Sequence, residues 1–199
     1  MLRIALTGGI GCGKTEACRI FQQQYGVPVI DTDVIAQQLV QPGEDALQQI
    51  TTAFGNDMLL PDGTLNRTAL ANEVFTNDTK RQQLESILHP KIRSTVEQQI
   101  QQLDAAYVIV AVPLLIETGQ QSDYDRVLVI DCEPSQQVAR TLQRDQRSAQ
   151  QVQSIIDAQV SREQRLQAAD DIIDNSKNTQ FLKQQIAQLH KKYLQQSQH

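Results

Sequence analysis

The sequence predicts an α/β fold: a five-stranded parallel sheet flanked by helices, with a helical insertion and a second helical stretch nearer its end. Three observations predict it. The chain opens on an apolar run, a glycine cluster, a helical pattern and a second apolar run, the order of a parallel sheet with crossover helices. The later apolar runs at 107–112 and 126–131 are continuous rather than alternating, as strands covered on both faces are. Between the second and third runs lie about seventy residues of helical pattern without a strand, too long for an ordinary crossover.

The elements follow in order. Leu2 to Thr7 is a short apolar run with β-branched members that stops at glycine, which reads as a buried strand. Residues 14–25 set Ala17, Ile20 and Phe21 on one helical face, and residues 27–31 read as the second strand. Within the insertion, Pro42-Gly43, Asp62-Gly63 and His89-Pro90 punctuate the helical pattern. After the strands at 107–112 and 126–131, residues 134–168 read as one helical stretch, followed by a weaker strand at 171–173. Leu182, Ile186, Leu189 and Tyr193 then recur at spacings of 4, 3 and 4, a terminal amphipathic helix that packs back on the sheet.

Composition narrows the function. Hydrophobic residues make up 40% of the 199 residues, enough for a core, while aromatics are 4% and Trp is absent, so Leu, Ile, Val and Ala must fill it. The 33 glutamines fall mostly on polar helix faces, where Gln is a good uncharged helix former. A net charge of −5 argues against a protein that coats nucleic acid or an anionic membrane. The longest apolar run, ten residues from Tyr107, contains Pro113 and falls short of the roughly 20 that a membrane span needs. No basic segment precedes an apolar one at the N-terminus, so no secretory signal is expected. Cys12, Cys18 and Cys132 make neither a C-x-x-C pair nor a zinc spacing; Cys18 and Cys132 read as small buried apolar residues, and the expected location is cytoplasmic.

Four of the nine glycines fall between positions 8 and 13, where Gly8-Gly9-Ile10-Gly11-Cys12-Gly13-Lys14-Thr15 fits G-x-x-x-x-G-K-[ST]. Backbone N–H groups of such a loop turn inward to cradle phosphate oxygens, and side chains at several positions would block the approach. The next helix adds its N-terminal dipole, Lys14 reaches the terminal phosphates, and the Thr15 hydroxyl is suited to Mg²⁺. The match lies between a predicted strand and a predicted helix, the context that such a loop requires. The chain contains neither D-x-x-G nor N-K-x-D, the strings of a GTP switch, which favours an enzyme acting on a small molecule.

Asp31-Thr32-Asp33 stands at the carboxyl end of the second strand, the edge where such sheets bind ligands. Asp33 there could accept a proton from an attacking hydroxyl, or it could simply N-cap a helix at 34–40. Phosphoryl transfer needs charge stabilisation more than covalent help, and Arg140, Arg144, Arg147, Arg162 and Arg165 supply five guanidinium groups within 26 residues, with no Lys among them. Arg140 and Arg144, four apart, share a helix face.

With these residues in view the chain resembles the dephospho-CoA kinases. The strings that carry the likeness run almost end to end: Leu6-Thr-Gly-Gly-Ile-Gly11, Asp31-Thr-Asp-Val-Ile-Ala36, Leu88-His-Pro90, Val112-Pro-Leu-Leu-Ile-Glu117, Arg126-Val-Leu-Val-Ile-Asp131, Arg144-Asp145 and Arg165-Leu-Gln-Ala-Ala-Asp-Asp-Ile-Ile-Asp-Asn175. The resemblance implies a P-loop kinase that moves the ATP γ-phosphoryl group to the ribose 3′-hydroxyl of dephospho-CoA. It implies that Gly8, Gly9 and the stretch Gly11, Cys12, Gly13, Lys14, Thr15 and Glu16 hold the ATP phosphates, with Asn175 near adenine. Thr7 and Asp33 would face the acceptor ribose, Asp33 as general base, with His89 also on the acceptor side. Glu117 ends an apolar strand at the ligand edge and could bind substrate or simply terminate the strand. Arg140 and Arg144 would neutralise the transferring group from a lid at 140–165. The core would be 1–30, 104–139 and 166–199, and the acceptor subdomain 31–103. Three departures stand out: Cys12 where the family usually has Ser, Glu16 where Ser or Thr is common, and Lys177 where Gly is usual.

Two rival readings remain at this stage. A shikimate-kinase-like enzyme shares the loop and D-x-D but uses a triple glycine, and the only adjacent glycines here are Gly8 and Gly9. A nucleotide-binding regulator without turnover is the other. Segment charges refine the net value: residues 31–79 sum to −7 and 97–139 to −6, whereas 1–30 carry +2, 80–96 carry +3 and 140–165 carry +2. The segments expected to touch phosphate are the positive ones.

Overall fold

The computed structural model describes residues 1–75, 77–145 and 148–198. Five strands, β1 Leu2–Thr7, β2 Val29–Asp31, β3 Tyr107–Ala111, β4 Arg126–Asp131 and β5 Asp171–Asp174, form one all-parallel sheet in the order β2-β3-β1-β4-β5. β1 is central, with Leu6 opposite Ala111 on one side and Leu128 on the other. The chain leaves β1 towards the β3 side and returns on the β4 side, so the carboxyl end of β1 is a topological switch point.

The sheet and its helices make one compact unit, residues 1–31 and 103–199; residues 32–102 make another. The first unit holds α1 Lys14–Tyr25, α6 Pro134–Arg144, α7 Ala149–Asp157, α8 Arg162–Gln167 and α9 Thr179–Gln196. Its core joins Ile4, Leu6, Ile109, Leu128 and Ile130 of the sheet to Ala17, Ile20 and Phe21 of α1 and to Leu182, Ile186 and Tyr193 of α9. Each such aliphatic side chain stabilises the fold by about 1.5–3 kcal/mol on full burial. Tyr107 and Tyr193 are among the largest fully buried side chains, and each hydroxyl is bonded, to His190 Nδ1 at 2.7 Å and to Asp171 Oδ2 at 3.0 Å. The second unit holds α2 Thr32–Leu39, α3 Asp45–Phe54, α4 Arg67–Phe75 and α5 Asp78–Gln101 around Val40, Ile50, Met58 and Leu70.

Four details depart from the sequence expectations. β2 begins at Val29 rather than 27, because Pro28 has no N–H to enter the ladder, although its carbonyl accepts Ile109 N at 3.0 Å. α2 begins at Thr32, so Asp33 lies in its first turn and is not the N-cap. α5 runs unbroken through His89-Pro90, since its 23 other residues outweigh the one helical donor that Pro90 withholds from the Ser86 carbonyl. The stretch 134–168 is three helices rather than one: Asp145 is extended, and Ser148 and Ser161 start α7 and α8 with capping boxes to Gln151 and Gln164. The boundary expected at residue 140 therefore falls inside α6. Arg147, read above as one of five arginines, lies outside the described residues.

Candidate active site

β1 ends at Thr7 and the glycine loop follows at the switch point. Thr7 itself is buried and its hydroxyl donates to the Pro113 carbonyl at 3.3 Å. Gly13 caps α1 in the left-handed region, φ 94°, and as a glycine brings no side chain to cap the first-turn N–H groups. Those donors are the ones an anion takes up at a helix N-terminus. Lys14 folds back over the loop, donating through Nζ to the carbonyls of Gly8 at 2.6 Å and Gly9 at 3.1 Å. Thr15, next along α1, is exposed.

The glycines are also demanded from outside the loop. A Cβ on Gly11, φ 73°, would lie 2.6 Å from the Gln137 carbonyl oxygen, and one on Gly13 would lie 2.3 Å from Asn175 Nδ2. α6 supplies the first wall: Gln137 donates from Nε2 to Cys12 Sγ at 3.0 Å, and Thr141 Oγ1 packs against Gly11. Asn175 supplies the second, donating from Nδ2 to the Cys12 carbonyl at 2.8 Å. The residue expected near adenine thus braces the loop through its side chain. Ile10 N–H donates to Gln159 Oε1 at 3.1 Å, which ties the segment before α8 to the loop.

The two arginines of α6 expected to act in a lid differ. Arg140 donates from Nη2 to the Asn175 carbonyl at 2.9 Å, and its Nη1 is buried beside the loop wall with no hydrogen-bond partner among the described residues. Arg144 is exposed and paired with Asp145 at 2.8 Å. Arg162 clamps Asp131 at the end of β4, Nη2 to Oδ2 at 2.7 Å, and also reaches Glu133. Arg165 is buried, its Nη1 donating to Val160 O at 2.8 Å.

Glu117 lies in the turns after β3, six residues beyond the strand, and its Oε1 accepts Val160 N–H at 3.1 Å. Glu16 pairs with Arg19 through both oxygens, at 2.7 and 2.6 Å, and that guanidinium holds its carboxyl below the usual range. Its charge is directed along α1 towards Arg19. In the helical unit, Asp33 is exposed in α2 and His89 is half-buried in α5. Lys177 lies over the Phe181 ring, 4.3 Å from its centroid.

Cys12 and Cys132 are both buried with their sulfurs 3.3 Å apart. The Cys132 thiol donates to Cys12 and, against burial, joins the Gln137 amide in holding the Cys12 thiol well below its usual range; Cys132 is pushed up in turn. Burial pushes the Cys18 thiol up to about 12. Sequence reasoning did not find Cys132, Gln137, Thr141 or Gln159 as neighbours of the loop. The signal within reach was the four-residue spacing of 137 and 141, which sets two polar side chains on one face of a helix next to the expected lid.

The residues present fit Mg²⁺ carried on a nucleotide: the exposed Thr15 hydroxyl is a hard oxygen donor at the phosphate cradle, and Asp31 is exposed at the carboxyl end of β2, two strands over from β1. Among the described residues no group of three or more His, Cys, Asp or Glu gathers to hold a metal ion.

A glycine loop on the central strand of a parallel sheet, a lysine over its carbonyls and a helix N-terminus opening into it define a P-loop kinase fold. The dephospho-CoA kinase family model matches residues 2–180. Proteins named dephospho-CoA kinase from Yersinia pseudotuberculosis and Coxiella burnetii are each 45% identical, the first over 96% of this chain and 92% of its own length, the second over 98% of each. The dephospho-CoA kinase structure from Campylobacter jejuni superposes with a TM-score of 0.71 at 28% identity over 97% of both chains. A Thermus thermophilus crystal structure reaches 0.86 at 24% identity over 96% of both, a likeness of fold alone. Shikimate kinase from Acinetobacter baumannii, at 0.55 and 14%, over 98% of this chain and 94% of its own, likewise shares only the fold. The chain belongs to the dephospho-CoA kinase family, and is an ATP-dependent phosphotransferase with an alcohol acceptor.

Proposed function

We propose that this chain transfers the γ-phosphoryl group of ATP to the ribose 3′-hydroxyl of dephospho-CoA with the following division of labour. The loop from Gly8 to Gly13 and the first turn of α1, through Thr15 and Glu16, hold the ATP phosphates, and Lys14 turns from the carbonyls of Gly8 and Gly9 to the β- and γ-phosphates. Asp33 accepts the proton of the attacking hydroxyl, and residues 32–102, His89 included, supply the acceptor side. Arg140 offers its unpartnered Nη1 to developing charge, and Arg144 exchanges Asp145 for phosphate oxygen. Asn175 acts through the loop it braces, and Thr7 and Glu117 by positioning, since each is engaged inside the core unit.

Thr15 is the protein ligand for Mg²⁺. When bound, the metal neutralises phosphate charge. Lys14 and Arg140 add protein cations at the same cradle, and Asp33 needs no metal contact to take a proton. Residues 140–165 form the lid in this reading. Among the described residues no helix is long and apolar enough to cross a membrane. Family membership and a net charge of −5 support an enzyme of small molecules rather than of nucleic acid, working in the cytoplasm.

The observation that carries the reading is the lysine-capped phosphate loop at the switch point of a chain whose family match spans residues 2–180. Purified protein with ATP, Mg²⁺ and dephospho-CoA should yield ADP and CoA in equal amounts, followed by chromatography of both products. ATP binding without acceptor-dependent ADP would make it a non-catalytic nucleotide-binding protein.

A further inference from the structure

We propose that Cys12 and Cys132 are a peroxide-oxidisable dithiol whose disulfide reversibly locks the phosphate loop in a form that rejects ATP. The site is built from three elements. Cys12 is the one side chain between Gly11 and Gly13, and it points away from the cradle into the wall behind it. Cys132 follows the last residue of β4, and Gln137 reaches in from α6. The two sulfurs lie 3.3 Å apart, and Gln137 Nε2 is 3.0 Å from Cys12 Sγ. Cys132 and Gln137 both donate to Cys12, an arrangement that favours the thiolate there and makes this sulfur the nucleophile, while Cys132 keeps its proton.

The chemistry balances with hydrogen peroxide as oxidant. The Cys12 sulfur, its proton released, attacks one peroxide oxygen. An S–O bond forms, the O–O bond breaks, and the departing hydroxide takes up that proton as water. Cys132 sulfur then attacks the sulfenic sulfur of Cys12. An S–S bond forms, the S–O bond breaks, and hydroxide leaves with the Cys132 proton as a second water. Two thiols lose two electrons together and one peroxide becomes two waters.

Bond formation draws the sulfurs from 3.3 Å to about 2.05 Å. The loop has little slack for that motion, because Gly11 is pressed against the Gln137 carbonyl and Gly13 against Asn175. The backbone N–H groups flanking Cys12 must turn with the side chain, and those groups form the cradle. Cys12 and Cys132 are 1% and 0% exposed, so peroxide reaches them only when the loop opens; bound ATP, by holding the loop, should slow oxidation. Cys18, on α1, has no thiol neighbour in the described structure and serves as the internal control.

The effect on ATP rests on the kinase reading; the cross-link does not. The test treats the full native chain with graded hydrogen peroxide, blocks residual thiols with iodoacetamide, and digests with trypsin without reduction. Cleavage separates the three cysteines into peptides 4–14, 15–19 and 127–140. The expected product is peptide 4–14 joined to 127–140 with the loss of two hydrogens, while 15–19 stays alkylated. In the cross-linked protein the Kd of a fluorescent ATP analogue should rise at least tenfold and return with dithiothreitol. Cys132→Ala should bind the analogue normally before oxidation and form no link, its Cys12 stopping at a sulfenic acid that dimedone traps or going on to a sulfinic acid that dithiothreitol does not restore. Absence of the 4–14/127–140 link, or a link that leaves the Kd within twofold, overturns the proposal. The native peptide map decides even if Cys132→Ala does not fold. A reduced native protein that binds no ATP would overturn the kinase reading instead and leave the mapping intact.

Discussion

Replacing the Asp33 carboxylate by an amide removes a proton acceptor while conserving size and polarity. Asp33 lies in the first turn of α2, outside the loop that holds the nucleotide, so the proposed roles separate experimentally. Asp33→Asn should lower kcat by about 10²–10⁴-fold with the Kd for ATP unchanged, read by steady-state kinetics and nucleotide titration. Near-normal kcat would leave Asp33 a helix-turn residue. The loop residues were legible because G-x-x-x-x-G-K-[ST] states their backbone demands within eight positions. Gln137 and Asn175 were not legible as loop braces. Their contacts with Cys12 span 125 and 163 residues and exist only once α6 and β5 are seated. Local spacing carries no such information.

Among the elements, α8 is the one most dependent on its cap. It has six residues, too few to persist alone, and it begins at Ser161, whose hydroxyl accepts Gln164 N–H at 3.1 Å while Gln164 Oε1 accepts Ser161 N–H at 2.9 Å. Ser161→Ala should cost about 1 kcal/mol and lower Tm by about 2–4 °C. Thermal unfolding checks it, and an unchanged Tm would mean that the Arg162–Asp131 and Val160–Glu117 contacts hold α8 without its cap. The strands and the first and last helices were readable from apolar period alone. The division of 134–168 was written in S-x-x-Q, a spacing that occurs in the chain only at 148 and 161, but Gln otherwise recurs so often on the polar helix faces that the two instances did not stand out.

At the scale of the whole molecule, Asp171 joins β4, β5 and α9. Burial opposes its charge, but Arg126 at 2.8 Å, Lys192 and the Tyr193 hydroxyl outweigh burial and hold the carboxyl below its usual range. A carboxyl with a lowered folded pKa contributes stability above its unfolded value of about 3.9, and that contribution is lost as pH falls through the folded value. Asp171→Asn should therefore cost about 2–3 kcal/mol at pH 7 and flatten the loss of stability below pH 4. Urea unfolding at pH 7 and at pH 3.5 measures both, and equal losses at the two pH values would remove Asp171 from the acid response. The parallel sheet was legible at this scale from element order, whereas the junction at Asp171 requires knowing that β5 is the edge strand beside β4.

The lysine that bends back onto Gly8 and Gly9 makes nucleotide capture an exchange rather than a simple addition. Two peptide oxygens already solvate its ammonium, so the cradle accommodates its own cation. An arriving phosphate must outbid those oxygens, which return to water as the ammonium turns. The measured enthalpy of capture is then a difference between two sets of charge-assisted bonds, smaller than a count of new contacts suggests. The same swap eases departure: ADP leaves as the lysine finds its resting acceptors again, and turnover need not wait on an unsatisfied charge.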